Sequence, residues 1–331
     1  MTMTFKGVKS PAKTAPGPIL VYSTYAADLG KVRTLLTQDL PGVAINYASS
    51  PNEAEPYLHD AEILYAWGFP SRLLSRMARL RWVQKMGAGV DDILTGGEFP
   101  SGVVLTRTDG RLIAAPMVEY VLAMAIGQTL QLTRARQQQA DNRWDFFSVN
   151  SIRQSRIGIA GLGEIGSEIA AAFRSLGCDV IGWRRSDSPS DVVQGLFAGK
   201  GALKSFVSQC DVLVLVLPLT HETAGLFGRE ILSQMKMGAH LINVGRGGVL
   251  DETALLHTIG SGRIGRASLD VFETEPLPRD HPFWNHPRID VTPHICGPLL
   301  PDDVVPHFLE NYRAYAAGGP LRHMVNLDRQ Y

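Results

Sequence analysis

The segment Gly161-Leu162-Gly163-Glu164-Ile165-Gly166 is preceded by the apolar run 156–160 and followed by 167–177, which has the polar-apolar spacing of a helix. Glycine triplets alone mean little in a chain with 33 glycines. Between a strand and a helix each has its own reason. Gly161 permits the tight turn, Gly163 lets the backbone approach a pyrophosphate, and Gly166 lets helix pack on strand. The helix start, with Glu164 and Ile165, offers N–H groups and a partial positive charge to phosphates. A dinucleotide-binding β-α unit is the expectation.

That unit sits in a longer rhythm. Strand-like apolar runs occur at 19–23, 43–48, 61–67, 80–87 and 103–108. A second series follows at 156–161, 178–183, 211–218, 240–245, 265–271 and 289–293. Helical stretches separate most of them, which predicts an α/β fold with two parallel sheets, Rossmann-like and flavodoxin-like. A long helix is expected from Pro116 towards Trp144, with the proline in its first turn. Another is expected over 299–317.

Charge narrows the possible partners. Lys and Arg number 32 and so do Asp and Glu, a formal charge of zero that provides no broad field for nucleic acid or an anionic membrane. No run of about 20 apolar residues is present to span a bilayer. Residues 1–17 lack the apolar stretch of a secretory signal and read as a disordered tail. The 3 cysteines, Cys178, Cys210 and Cys296, form no CxxC pair, so a reducing, cytoplasmic setting is expected. No metal site is expected: His281 and His286 flank a proline-containing loop with no third ligand in view.

Cofactor choice is read at the end of the second strand of the β-α-β unit. A carboxylate there holds the ribose hydroxyls of NAD. Here the strand ends in Trp183-Arg184-Arg185-Ser186. Guanidinium groups suit a 2′-phosphate, which an acid would repel. NADP(H) is therefore expected to be preferred, with NAD(H) possible.

Further motifs follow in order: Asn243-Val244-Gly245-Arg246-Gly247-Gly248, then Leu269-Asp270-Val271-Phe272-Glu273-Thr274-Glu275-Pro276, then Val291-Thr292-Pro293-His294. With the glycine turn, they make the chain similar to the D-isomer-specific 2-hydroxyacid dehydrogenase family over residues 60 to 331. Within it the chain looks most like the glyoxylate/hydroxypyruvate reductases. The resemblance implies Arg246, Glu275 and His294 as catalytic. Arg246 would bind the carboxylate of a 2-oxo acid and polarise its carbonyl. His294 would donate the proton, and Glu275 would favour its protonated form and hold the ring.

The same resemblance implies cofactor contacts from Pro218, Val244, Gly245, Asp270 and Gly297, with Asp270 bonding the nicotinamide amide. Gly87, Ala88 and Gly89 would grip the substrate carboxylate through backbone N–H groups. Trp67 would line the pocket, and Trp144 would extend to the partner's site in a homodimer. It further implies a cofactor domain, 112–296, inserted into a substrate domain made of 18–111 and 297–331, with a hinge at the crossings. The sequence Ile295-Cys296-Gly297-Pro298 departs from the small residues and Ser or Thr that the family has after its histidine.

The expected reaction is NADPH-dependent reduction of glyoxylate or hydroxypyruvate to the D-2-hydroxy acid. Alternatives are another 2-oxo acid (pyruvate, phenylpyruvate or the oxidation product of 3-phosphoglycerate) or a non-enzymatic NAD(H)-sensing protein like the corepressors that share this fold.

Overall fold

The structure, a computed structural model, describes residues 16–24, 26–95, 98–187 and 189–331. The tail expected over 1–17 lies outside the described residues up to position 15. The chain divides into two compact units, one running to Leu112 and resuming at Leu299–Tyr331, the other Ile113–Pro298. Along the chain the second unit is thus inserted into the first. Gly297 and Pro298, assigned above to the first unit, fall with the second, and a Cβ on Gly297 would touch Met117 there at 3.2 Å.

In the first unit β1 (Ile19–Ser23), β2 (Ile45–Ala48), β3 (Ile63–Trp67), β4 (Trp82–Lys85) and β5 (Val104–Thr106) form one sheet in the order β2-β1-β3-β4-β5. Every pairing is parallel. This is the flavodoxin-like order, with its switch point between β1 and β3, where Ser23 pairs with Trp67. Strands such as Ile19–Ser23 are buried from end to end, as parallel sheets covered on both faces require. One cover is the helix Pro301–Ala316: Phe308 stacks on Tyr65 at 4.3 Å and on Trp82 at 5.4 Å. A buried polar network reinforces it. Asn311 donates to Gln84 Oε1 at 3.0 Å, which also accepts from Thr106 at 2.7 Å.

The second unit carries β6 (Arg156–Ala160), β7 (Asp179–Arg184), β8 (Gly195–Ala198), β9 (Val212–Leu215), β10 (Ala239–Asn243), β11 (Ile264–Leu269) and β12 (Ile289–Val291). Their order, β12-β11-β10-β9-β6-β7-β8, is again wholly parallel. It is the dinucleotide-fold order with one added strand, and its switch point lies between β6 and β9. β8 was not anticipated: its only apolar stretch, Leu196-Phe197-Ala198, is short and half-buried.

The long helix after Pro116 is a correction. Two helices, Ala114–Thr129 and Leu132–Ala140, replace it, separated where Gln131 turns left-handed at φ 53°. Pro116 occupies the third position of the first, where backbone N–H groups have no partner within the helix in any case. Among the described residues no helix is long and apolar enough to cross a membrane.

Candidate active site and cofactor site

β6 delivers the glycine turn to the switch point of its sheet. Gly161 has φ 108°, and a Cβ there would stand 2.6 Å from the Val216 carbonyl oxygen. A Cβ on Gly166 would lie 1.8 Å from the Gly161 oxygen, so the helix Glu164–Ser175 approaches the strand only because that atom is missing. Gly163 differs: a Cβ there would meet nothing within 4 Å. Protein packing does not demand that glycine. No side chain caps the helix that begins beside it. Open space over uncapped N–H groups fits a dinucleotide pyrophosphate.

At the end of β7, Arg184 is half-buried. Its Nη2 donates to the Pro189 carbonyl at 3.1 Å, and its Nε is buried with no hydrogen-bond partner. Arg185 is exposed and pairs with Glu222 at 2.9 Å. That contact holds the Glu222 carboxyl below its ordinary range. No carboxylate ends β7. Two guanidinium groups do.

Past β10, Asn243 is fully buried and staples the turn it begins, accepting from Gly245 N at 3.2 Å and donating to the Arg246 carbonyl at 3.2 Å. Val244 is buried, and its N–H bonds Leu215. A Cβ on Gly245 would touch the Leu217 carbonyl at 2.6 Å, which sets this turn beside Pro218. Arg246 leaves the turn half-buried, its Nη1 on the Gly245 carbonyl at 2.8 Å.

The expected acid pair is formed. Glu275 Oε2 lies 2.7 Å from His294 Nδ1, and Glu275 Oε1 accepts from Phe272 N at 3.0 Å. Burial works to raise the Glu275 carboxyl. The His294 bond and charge, the Phe272 N–H and the Arg246 charge outweigh it and hold the group below its ordinary range. Arg246, Glu275 and His294 therefore share one electrostatic environment.

Asp270, the residue expected at the nicotinamide amide, meets the loop that carries His294. It is fully buried, and its two oxygens accept from Thr292 Oγ1 (2.5 Å), Ile295 N (3.0 Å) and Cys296 N (2.9 Å). The His294 N–H bonds the Asp270 carbonyl at 2.9 Å, and His294 itself sits at φ 53°. Since the Thr292 hydroxyl proton points to Asp270, the Tyr120 hydroxyl must donate to Thr292, at 2.8 Å. Tyr120, Thr292 and Asp270 thus brace the loop that carries His294. Thr292 stands within a motif quoted above, whereas nothing near Tyr120 in sequence points to this role. Cys296 is buried beside Asp270, and burial followed by that carboxylate pushes its thiol far up, so it is no ready nucleophile.

The family model described as D-isomer specific 2-hydroxyacid dehydrogenase, NAD binding domain, matches residues 122–296. A glyoxylate/hydroxypyruvate reductase A of Serratia proteamaculans is 35% identical over 288 residues, covering 86% of this chain and 90% of that one. The chain belongs to the D-isomer specific 2-hydroxyacid dehydrogenase family. Two solved members share its fold. One, from Xanthobacter autotrophicus Py2 in complex with NADPH and MES, has a TM-score of 0.86 at 32% identity, over 96% of this chain and all of that one. The other, an NADPH-dependent glyoxylate/hydroxypyruvate reductase from Sinorhizobium meliloti with NADP and sulfate, has a TM-score of 0.86 at 29% identity, over 95% and 99%.

In this dehydrogenase the remaining expected residues are divided between the two units. Trp67 and the Gly87-Ala88-Gly89 turn meet in the first unit, where Gly87 is buried against the Trp67 ring. Trp144 belongs to the second unit and is 99% exposed, so it is no core residue. Phe146 beside it is nearly as bare.

Proposed function

We propose that this protein reduces glyoxylate or hydroxypyruvate to the D-2-hydroxy acid with NADPH. The observation that carries the reading is the 2.7 Å contact between Glu275 and His294, with the Arg246 charge acting on Glu275. Arg246 binds the substrate carboxylate and polarises the adjacent carbonyl. Glu275 orients the imidazole through Nδ1, and His294 gives a proton through Nε2 to the carbonyl oxygen. NADPH, when bound, would supply the hydride, which with the proton from His294 accounts for the two hydrogens added to the carbonyl. Gly87, Ala88 and Gly89 grip the carboxylate through their N–H groups, and Trp67 lines the pocket.

Gly161, Gly163, Glu164, Ile165 and Gly166 hold the pyrophosphate. Pro218, Val244, Gly245 and Gly297 flank the rest of the dinucleotide, and Asp270 hydrogen-bonds the nicotinamide amide. The guanidinium groups of Arg184 and Arg185 support NADPH over NADH, as do the two relatives solved with NADPH or NADP. The exposed Trp144 supports a homodimer in which that indole reaches the partner's site. The 3 cysteines are free thiols, which supports a cytoplasmic setting.

The test is loss of NADPH absorbance with glyoxylate, hydroxypyruvate, pyruvate and phenylpyruvate, repeated with NADH. Fastest turnover of glyoxylate or hydroxypyruvate with NADPH is expected. No turnover with any of the four would sink the enzymatic reading in favour of a nucleotide-sensing protein.

A further inference from the structure

Lys85 ends β4 and is only 1% exposed, among the largest fully buried side chains of the molecule. An interior ammonium is costly unless paired, and an apolar residue of similar volume would pack the site at lower cost. Its neighbours supply a reason for it. The Asp92 carboxylate forms an ion pair and hydrogen bond with Nζ. On another side, Nζ stands over the Trp67 indole, 5.6 Å from a ring centroid and within cation–π reach. The same indole packs on the backbone of Gly87, where a Cβ would lie 2.5 Å from Cζ3. Trp67 is therefore held between an ammonium and a glycine only two residues apart on one strand end.

The place matters. Trp67 closes β3 at the switch point of the first sheet, where open α/β sheets take ligands. Asp92 lines an open cleft of about 510 Å³ with Gly68, Phe69, Pro70 and Arg72. The pair thus runs from the buried Lys85 to a solvent-facing carboxylate, and it passes beside the turn assigned above to the substrate.

We propose that Lys85 and Asp92 are positioning residues that hold Trp67 against the Gly87–Gly89 turn and so restrict the site to small 2-oxo acids. The selectivity part rests on the proposed function; the clamp itself does not. Lys85→Met keeps the length and packing of the side chain and removes the cation. It should raise KM for glyoxylate about tenfold with kcat within about twofold and NADPH binding unchanged. The glyoxylate-to-phenylpyruvate ratio of kcat/KM should fall about tenfold, and Lys85→Arg should restore most of it.

The clamp is read separately by fluorine NMR of the full chain labelled with 5-fluorotryptophan, which has 5 tryptophans, with Trp67→Phe assigning the resonance of interest. In Lys85→Met the Trp67 signal should shift and broaden while the other signals stay. Lys85→Gln gives the same comparison if Met at this site fails to fold. A Trp67 signal that stays in place overturns the clamp whatever the kinetics show. A signal that moves with the kinetic ratio unchanged overturns the selectivity role. If the unmodified chain turns over no 2-oxo acid, the proposed function falls and the fluorine signal still decides the clamp.

Discussion

The loop carrying His294 and the end of β7 lie at the same carboxyl edge of one sheet, yet they are held in opposite ways. Asp270 is buried and takes three hydrogen bonds from residues 292–296, and Thr292 is braced in turn by Tyr120. Arg185 is exposed and its ion pair is with a surface carboxylate, Glu222. Such a pair contributes little to stability and rearranges readily. On the function proposed above, the contrast separates two tasks. Proton transfer needs a ring fixed to within fractions of an ångström. Recognition of a phosphate needs charge that can swing from one anion to another.

Breaking the fixed side should have the largest effect. His294→Ala is expected to lower kcat roughly a thousandfold, in the usual span for losing a general acid. NADPH binding, measured by fluorescence titration, should change little. Turnover near the normal rate would refute the acid role. Asp270→Asn comes next. It replaces a charged acceptor that takes three bonds, and a loss of about 2 kcal/mol in urea unfolding is expected. A kcat loss of about tenfold or more should accompany it, since the His294 loop loosens. Full stability and full kcat together would mean that the brace has no role.

The adaptable side should respond more gently. Arg185→Ser is expected to raise KM for NADPH about tenfold, the worth of one charged hydrogen bond, and to leave KM for NADH unchanged. An equal rise for both cofactors would show that the residue does not read the 2′-phosphate. Tyr120→Phe should cost about 1 kcal/mol or less, because Thr292 keeps its bond to Asp270.

The acid side of the stability profile tests the His294–Glu275 pair. The Glu275 carboxyl is depressed in the folded state. Its contribution is present above the ordinary carboxylate range and is lost as pH falls through the depressed value. Glu275→Gln lacks that contribution, so its Tm should decline less steeply on acidification between about pH 5 and 3. Parallel profiles for the two proteins would show that the pair contributes nothing to folding.

Much of this was legible from local pattern. Burial on both faces makes parallel strands read as apolar runs, so eleven of the strand segments stood out. β8 escaped because the apolar stretch of this half-buried edge strand, Leu196-Phe197-Ala198, is short. The break at Gln131 escaped because neither glycine nor proline marks it. The glycine turn was legible from its strand-turn-helix setting, whereas Arg246, Glu275 and His294 were singled out by the family resemblance of their motifs. The braces were not. Asp270 meets residues more than 20 positions away and Tyr120 reaches Thr292 across 172, distances at which sequence spacing carries no signal. Nothing in the strand-like run 80–87 singles out Lys85, and only its burial reveals a constraint.

The helix Pro301–Ala316 supplies Val305, Phe308, Leu309, Tyr312 and Tyr315 to the core beneath β1, β3 and β4. Tyr315 also bonds Glu62 across 253 residues of chain. On the ribosome β1, β3 and β4 emerge before the inserted unit, but the side chains that cover them follow only after it. Until then the Tyr65 and Trp82 faces lack their cover, so the first unit completes its core only after the unit inserted into it has been made.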